Sequence, residues 1–411
     1  MADGKSCMGS ILKTHPRAVN IALTLVVALG LGTVTQPYGE AQTFTVLYNF
    51  CSQSGCADGE FPPAGVIQDA KGNLYGTTSV GGTSKWGTVF ELDSGGTETV
   101  LYNFSYINGD GATPLAGLIR DAAGNLYGTT SYGGPTSNGV VFKVDASGTE
   151  TVLHNFAGGT KDGCIPEAGL VRDASGNLYG TTSGCGADGY GTVFKINKSG
   201  KKTVMHSFSG APNDGANPYY GASLITDAKG NLYGTTFQGG AFGLGTVYEV
   251  SAGGRERILH SFAGGTADGC LPYGAVTMDK NGNLYGTTGL CGSASQGTVW
   301  KLSKSGKETV LHNFEGYPAD GSNPQAGVIL DAKGNLYGTT SQGGANDPGT
   351  VFELSSNGTL TLLHSFCSEA GCADGAAPTA GVVRDANGNL YGTAEAGGSG
   401  NGGTVWKLAP Q

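Results

Sequence analysis

From residue 43 onward, short apolar runs alternate with turns rich in Gly, Asp and Asn. Residues 62–104, PPAGVIQDAKGNLYGTTSVGGTSKWGTVFELDSGGTETVLYNF, hold four such runs: AGVIQ, NLYGTTS, GTVFEL and ETVLYNF. Each has the length and the β-branched and aromatic content of a strand. The intervening DAKGN supplies the Asp and Gly of a tight hairpin between the first two. Beyond the first 41 residues no stretch repeats apolar positions at helical spacing, so the pattern predicts an all-β protein.

The pattern recurs. GNLYGTT stands at 72–78 and begins again at 124, 176, 230, 282 and 334, and GNLYGTA begins at 388. The Leu of the motif falls at 74, 126, 178, 232, 284, 336 and 390, with steps of 52 or 54 residues. Four strands in about 50 residues at fixed spacing is the pattern of a β-propeller blade, and seven copies predict seven blades. TFTVLYNF (Thr43–Phe50) matches the fourth strand of a unit, whereas GTVWKL (Gly403–Leu408) matches the third. The strand at 43–50 is therefore expected to complete the last blade and close the ring, covering two edges that would otherwise invite association. Residues 42–411 form one propeller domain on this reading.

Residues 1–41 differ. Lys5, Lys13 and Arg17 precede the apolar run AVNIALTLVVALGLG, and Gly39 and Ala41 offer a small-residue cleavage point. This is a signal-peptide pattern, and its 15-residue run is shorter than the roughly 20 residues that span a bilayer. Cleavage near Ala41 and export to the periplasm, cell surface or medium are expected. Cys7 precedes the apolar run, so it is not a lipidation cysteine at the cleavage point. The formal net charge of −9, with no Lys/Arg cluster, argues against nucleic acid or anionic lipid as a partner. A monomer is expected, with an extracellular glycan or protein as the partner. Gly is abundant at 75 of 411 residues, but aromatics reach 9%, so the glycines serve turns and close packing in a chain that can still build a core.

The long core DA-x-GNLYGTT-x-x-GG followed by GTVFEL resembles the Gloeo/Verruco (GloVer) tandem repeat of secreted or surface bacterial proteins. The resemblance covers Thr43 to Leu408 and implies no catalytic activity. Members often carry a C-terminal sorting or anchoring segment, whereas this sequence runs to KLAPQ directly after the last expected strand. A looser similarity to NHL-type propeller repeats supports the strand order.

Eight cysteines lie beyond the leader. Cys164 and Cys185 occupy two loops expected side by side on one face of a blade. Cys270 and Cys291 fill the same two positions two units later, and the other five units fill neither. Residues that come and go together are read as partners, giving Cys164–Cys185 and Cys270–Cys291. The near-copies CSQSGC and CSEAGC give Cys51–Cys56 and Cys367–Cys372. A zinc site is the competing reading, but C-x4-C without a nearby His or a second close Cys pair is a poor zinc pattern. Four disulfides fit an oxidising compartment.

Candidate chemistry is thin because nearly every polar residue is periodic. Five of the six histidines, His154, His206, His260, His312 and His364, share one repeat position with Tyr48 and Tyr102. A packing or surface role on the outer strand is expected for them. Asp69, Asp121, Asp173, Asp227, Asp279, Asp331 and Asp385 recur in the hairpin turn, where their carboxylates can accept backbone N–H groups. Glu91, Glu249 and Glu353 exchange with Lys143, Lys195, Lys301 and Lys407, which suits a solvated face. A second series, Asp58, Asp110, Asp162, Asp214, Asp268, Asp320 and Asp374, precedes Gly and Pro on the cysteine-bearing face. It is read as turn capping, with a ring of oxygen ligands for calcium as the alternative, and no cofactor is otherwise expected.

The units differ between the loop Pro and the first strand, where Pro63, Leu115, Glu167, Tyr219 with Tyr220, Tyr273, Gln325 and Thr379 stand. Innermost strands line the channel of a propeller, so these residues are expected at its mouth. Glu167, Tyr219, Tyr220, Tyr273 and Gln325 could stack on and hydrogen-bond a sugar or peptide. Glu167 is the one non-periodic carboxylate expected there. Variation without function is the plainer account of these positions. There is no phosphate loop, nucleophile elbow or helix-borne metal motif. A binding or interaction scaffold is therefore expected, with an enzyme acting on a carbohydrate or lactone as the alternative; the fold alone does not decide.

Overall fold

The computed structural model describes residues 42–219 and 221–410. The leader, Cys7, the cleavage point near Ala41, and Tyr220 lie outside the described residues.

Seven four-stranded antiparallel sheets follow one another along the chain. In the fourth unit the strands are Ile225–Thr226, Leu232–Thr236, Thr246–Val250 and Glu256–Ser261, in order from inside to outside. Seven apolar clusters join neighbouring sheets, and one of them packs Phe50, Tyr391 and Val405 of the last blade on Val66, Leu74 and Phe90 of the first. The protein is thus a closed seven-bladed β-propeller. The outermost strand of the last blade is Phe44–Asn49, paired antiparallel with Thr404–Leu408 from Phe44↔Leu408 to Asn49↔Thr404. A bulge between Val46 and Tyr48 repeats the bulge of the other outer ladders, such as that between Val89 and Phe90.

The innermost strand is shorter than AGVIQ suggests, since only Ile67–Gln68 pairs in the first unit. The cause is crowding of backbone at the axis: a Cβ on Gly65 would lie 2.7 Å from the Gly381 carbonyl oxygen. The residues nearest the axis bond between blades instead of within one. Thr77 Oγ1 donates to the Ala116 carbonyl at 3.1 Å, Thr287 to Ala326 at 2.7 Å, and Thr393 of the last blade to Ala64 of the first at 3.0 Å. The third unit is the exception: buried Thr181 Oγ1 has no partner.

Packing between blades is aromatic. The third-strand ring of each unit (Phe90, Phe142, Phe194, Tyr248, Trp300, Phe352, Trp406) is fully buried. Each meets a Phe at the end of the preceding outer strand edge-on, as Phe50 meets Phe90 with centroids 5.0 Å apart and Phe366 meets Trp406 at 5.8 Å. The motif glycine makes room for this ring. A Cβ on Gly128 would lie 2.6 Å from Phe142, and one on Gly392 would lie 2.4 Å from Trp406. No helix among the described residues is long and apolar enough to cross a membrane.

Candidate functional site

The loops that enter and leave a blade on one face, here called the upper face, pair as short ribbons in the second to sixth units, such as Gly163–Cys164 with Gly184–Cys185, and through a single bridge in the first and seventh. This ribbon and its equivalent two units later carry the disulfides Cys164–Cys185 and Cys270–Cys291. Cys51–Cys56 and Cys367–Cys372 close the one-turn 3-10 segments Ser54–Cys56 and Ala370–Cys372. Four disulfides in one chain fit an oxidising environment.

The upper-face aspartates and the outer-strand histidines, two separate series in the sequence, are partners. His206 Nε2 lies 3.0 Å from Asp214 Oδ2, His312 lies 2.8 Å from Asp320, and His364 lies 3.0 Å from Asp374. Where the last blade meets the first, Tyr48 donates its hydroxyl to Asp58 at 2.9 Å. The same carboxylates cap their loops: Asp214 accepts the Ser209 and Gly215 amides at 2.8 and 2.7 Å. Partial burial pushes the Asp214 carboxyl up, but His206 and these amides outweigh it and hold it below the ordinary carboxylate range. The histidines are therefore half-buried loop anchors. The calcium alternative would have to compete for lone pairs that already accept these hydrogen bonds.

The opposite face carries the hairpin aspartates. Asp121 accepts the Ala123 and Asn125 amides at 3.0 and 2.9 Å and the hydroxyl of Tyr127, the motif tyrosine, at 3.0 Å. Glu91 corrects the expectation of a freely solvated position. It is half-buried and accepts Tyr75 Oη at 3.0 Å and Asn73 Nδ2 at 2.9 Å. Where Lys replaces Glu, as in Lys195, the ammonium lies 5.3 Å from the ring centre of Tyr179.

At the axis the inner segments enclose a cavity of about 380 Å³ whose wall includes Pro63, Leu115, Gly221 and Thr379. Its lining combines the repeated Ala-Gly pairs with Val, Leu and Ile of the inner segments, and it does not include the variable residues Glu167, Tyr219, Tyr273 and Gln325. The structure spreads these residues unevenly. Tyr273 packs on Phe237 with ring centres 4.8 Å apart, and Tyr219 lies 5.5 Å from Phe237 and 6.1 Å from Tyr273. The three rings form one aromatic cluster. Gln325 Nε2 reaches Ser341 Oγ at 3.3 Å. Burial raises the Glu167 carboxyl above its ordinary range despite the Ser183 hydroxyl beside it, and Glu167 Oε2 is buried without a partner. That hydroxyl also donates to the Ile165 carbonyl at 3.0 Å, and one proton cannot serve both.

Two rim residues went unrecognised in the sequence. Phe237 and Glu395 occupy the position after GNLYGT-x where Ser79, Ser131, Ser183 and Ser341 stand in other units. Glu395 is half-buried, its carboxyl is raised by burial, and it accepts the Thr379 hydroxyl at 3.2 Å. Glu167 is therefore not the lone non-periodic carboxylate of this region. The signal was available, because the last motif departs from the others one residue before Glu395.

Solved structures similar in fold to this chain carry diverse descriptions. A streptogramin B lyase matches with a TM-score of 0.58 at 12% identity, covering 89% of this chain and 97% of that one. The extracellular domain of a protein classed as a one-component system of B. thetaiotaomicron matches with a TM-score of 0.55 at 11% identity, covering 88% of this chain and 39% of that one. A protein of Bacteroides uniformis classed as a 6-phosphogluconolactonase matches with a TM-score of 0.50 at 17% identity, covering 78% of this chain and 88% of that one. At such identities the likeness is one of fold. No curated protein sequence matches the chain. The Gloeobacter/Verrucomicrobia repeat pattern matches residues 26–175, 159–325 and 220–411, and with nearly the whole chain so covered the protein belongs to that family.

Proposed function

We propose that this protein is an exported binding module that holds a glycan or peptide at the upper rim of its channel. One observation carries the reading. In a ring whose packing residues repeat almost without change, the rim gathers Tyr219, Phe237 and Tyr273 into one cluster, with Tyr219 40% exposed. Aromatic faces stack on sugar rings and apolar side chains at low entropic cost, and the rim amide and carboxyl groups add hydrogen bonds. Four disulfides and the leader-like first 41 residues support an extracellular or periplasmic setting.

The test is a glycan and peptide array probed with the protein, followed by titration of the best binder against Tyr273→Ala. Loss of binding of at least about fivefold supports the rim, since a stacked ring contributes on the order of 1 kcal/mol or more. Unchanged binding places the ligand elsewhere and removes this reading. A glycoside hydrolase using two carboxylates here would need Glu167 and Glu395 to work on one substrate. They belong to the third and seventh units, and Glu395 already accepts the Thr379 hydroxyl, so a scaffold is the better fit.

A further inference from the structure

The outer strand of each blade begins beside the His/Tyr–Asp pair of the preceding interface, and the residue there differs around the ring. Glu98, Glu150, Glu256 and Glu308 stand at this seat in four units, Lys202 in the third, Leu360 in the sixth, and Phe44 in the closing strand. These side chains meet the neighbouring pair directly. Lys202 Nζ forms an ion pair with Asp162 and is only 8% exposed. Phe44 stacks on His364 with ring centres 3.7 Å apart. The seat therefore holds a fixed cation at one interface, apolar groups at two, and a carboxyl at four.

The acidic seats are left incomplete. Glu98, Glu150, Glu256 and Glu308 each bury one carboxyl oxygen with no hydrogen-bond partner. Two of them face a tyrosine across the Asp, while Glu256 and Glu308 face His206 and His260. Only these two interfaces among the seven combine imidazole, Asp and Glu. At the first of them the donor atoms of His206, Asp214 and Glu256 all lie within 4.8 Å of one another.

We propose that His206, Asp214 and Glu256 form a site for a divalent first-row transition metal ion. One imidazole nitrogen and two carboxylate oxygens suit such an ion, and donors about 2.0–2.2 Å from a common centre can stand within this separation. The ion takes the place of the proton shared by His206 Nε2 and Asp214 Oδ2 and supplies the positive charge that Lys202 brings to Asp162 one interface earlier. It also gives the orphaned Glu256 carboxyl a partner. Asp214 is held for the task by the Ser209 amide and hydroxyl, at 2.8 and 3.2 Å, and by the Gly215 amide at 2.7 Å. His260, Asp268 and Glu308 repeat the residue types, with His260 Nε2 3.2 Å from Asp268, but their donors do not gather within the same distance. The site ties two blades together, so binding stabilises the ring.

The test uses protein stripped with a chelator and titrated with Zn²⁺ and with Co²⁺, followed by calorimetry, thermal unfolding and visible absorption. The expected result is binding with a rise in Tm and a Co²⁺ spectrum of mixed nitrogen and oxygen ligation. Glu256→Leu copies the sixth interface and Glu256→Lys the third, so both keep an arrangement that this fold already accommodates. Each is expected to weaken binding by at least about tenfold and to remove the Tm rise, while Glu308→Leu retains both. Absence of heat and of a Tm change with either metal overturns the site, as does binding that survives Glu256→Leu or is lost in Glu308→Leu. A pH-dependent Tm in the stripped protein, with no metal effect, would assign the seat to a proton instead and equally overturn the proposal.

Discussion

Phe44 lies flat on His364, with ring centres 3.7 Å apart and planes within 6° of each other. The first strand is thus fastened twice: through its backbone to the seventh blade and through this ring to the sixth. Phe44→Ala should remove about 2 kcal/mol from stability, because the ring is half-buried and not fully enclosed. Deleting residues 43–50 should lower Tm for the whole ring in one transition. Calorimetric unfolding checks both, and a truncated protein that melts like the parent rules out closure by this strand.

Burial, with Asp58 beside it, pushes the Glu98 carboxyl up to about 7, and burial with Asp110 does the same for Glu150. Unfolded glutamates titrate near 4.5. Between these values the folded protein holds protons that the unfolded chain has released. The contribution of both groups is complete below about pH 4.5 and is lost as pH rises through about 7. Denaturant unfolding at pH 5 and pH 7.5 should show less of this decline in Glu98→Gln/Glu150→Gln than in the parent. Equal slopes in the two proteins would contradict the assignment.

Cys164–Cys185 and Cys270–Cys291 each close 21 residues, whereas Cys51–Cys56 and Cys367–Cys372 close five. By loop entropy the longer bridges stabilise by about 3 kcal/mol each and the shorter ones by about 2. Cys164→Ser/Cys185→Ser should therefore lower stability more than Cys51→Ser/Cys56→Ser. Non-reducing peptide mapping should recover these four pairs, and a crossed pair would refute the loop assignment.

Gly128 sits against Phe142 with no space for a methyl group. Gly128→Ala should cost about 1–3 kcal/mol through overpacking. Adding Phe142→Leu should restore part of the loss, and a double-mutant cycle with no coupling would show that the glycine serves another purpose.

The blade number and the closing strand were legible because each unit repeats the same apolar alternation and the two chain ends are complementary fragments of it. The length of the inner strand was not legible, since the Gly65 to Gly381 approach depends on blades that are distant in sequence. Periodicity located both His206 and Asp214 but concealed their partnership, which spans a turn and closes only in three dimensions. Glu256 was harder to find. Its environment comes from the neighbouring unit, and its own repeat position reads as an ordinary exposed strand start. At the rim, Tyr273 was visible as a departure from the repeat, while Phe237 and Glu395 lay just beyond the motif that drew attention.

Closure by the first strand also sets the order of events during synthesis. Asn49 Oδ1 accepts the Ser399 amide, across 350 residues of chain. The first strand made must wait for the last one to be delivered before it finds its ladder, so complete blades can form one by one while the ring stays open. The rate of ring formation is then governed by a contact of the longest range the chain offers, and until that moment the edges of the first and last blades are available to other chains.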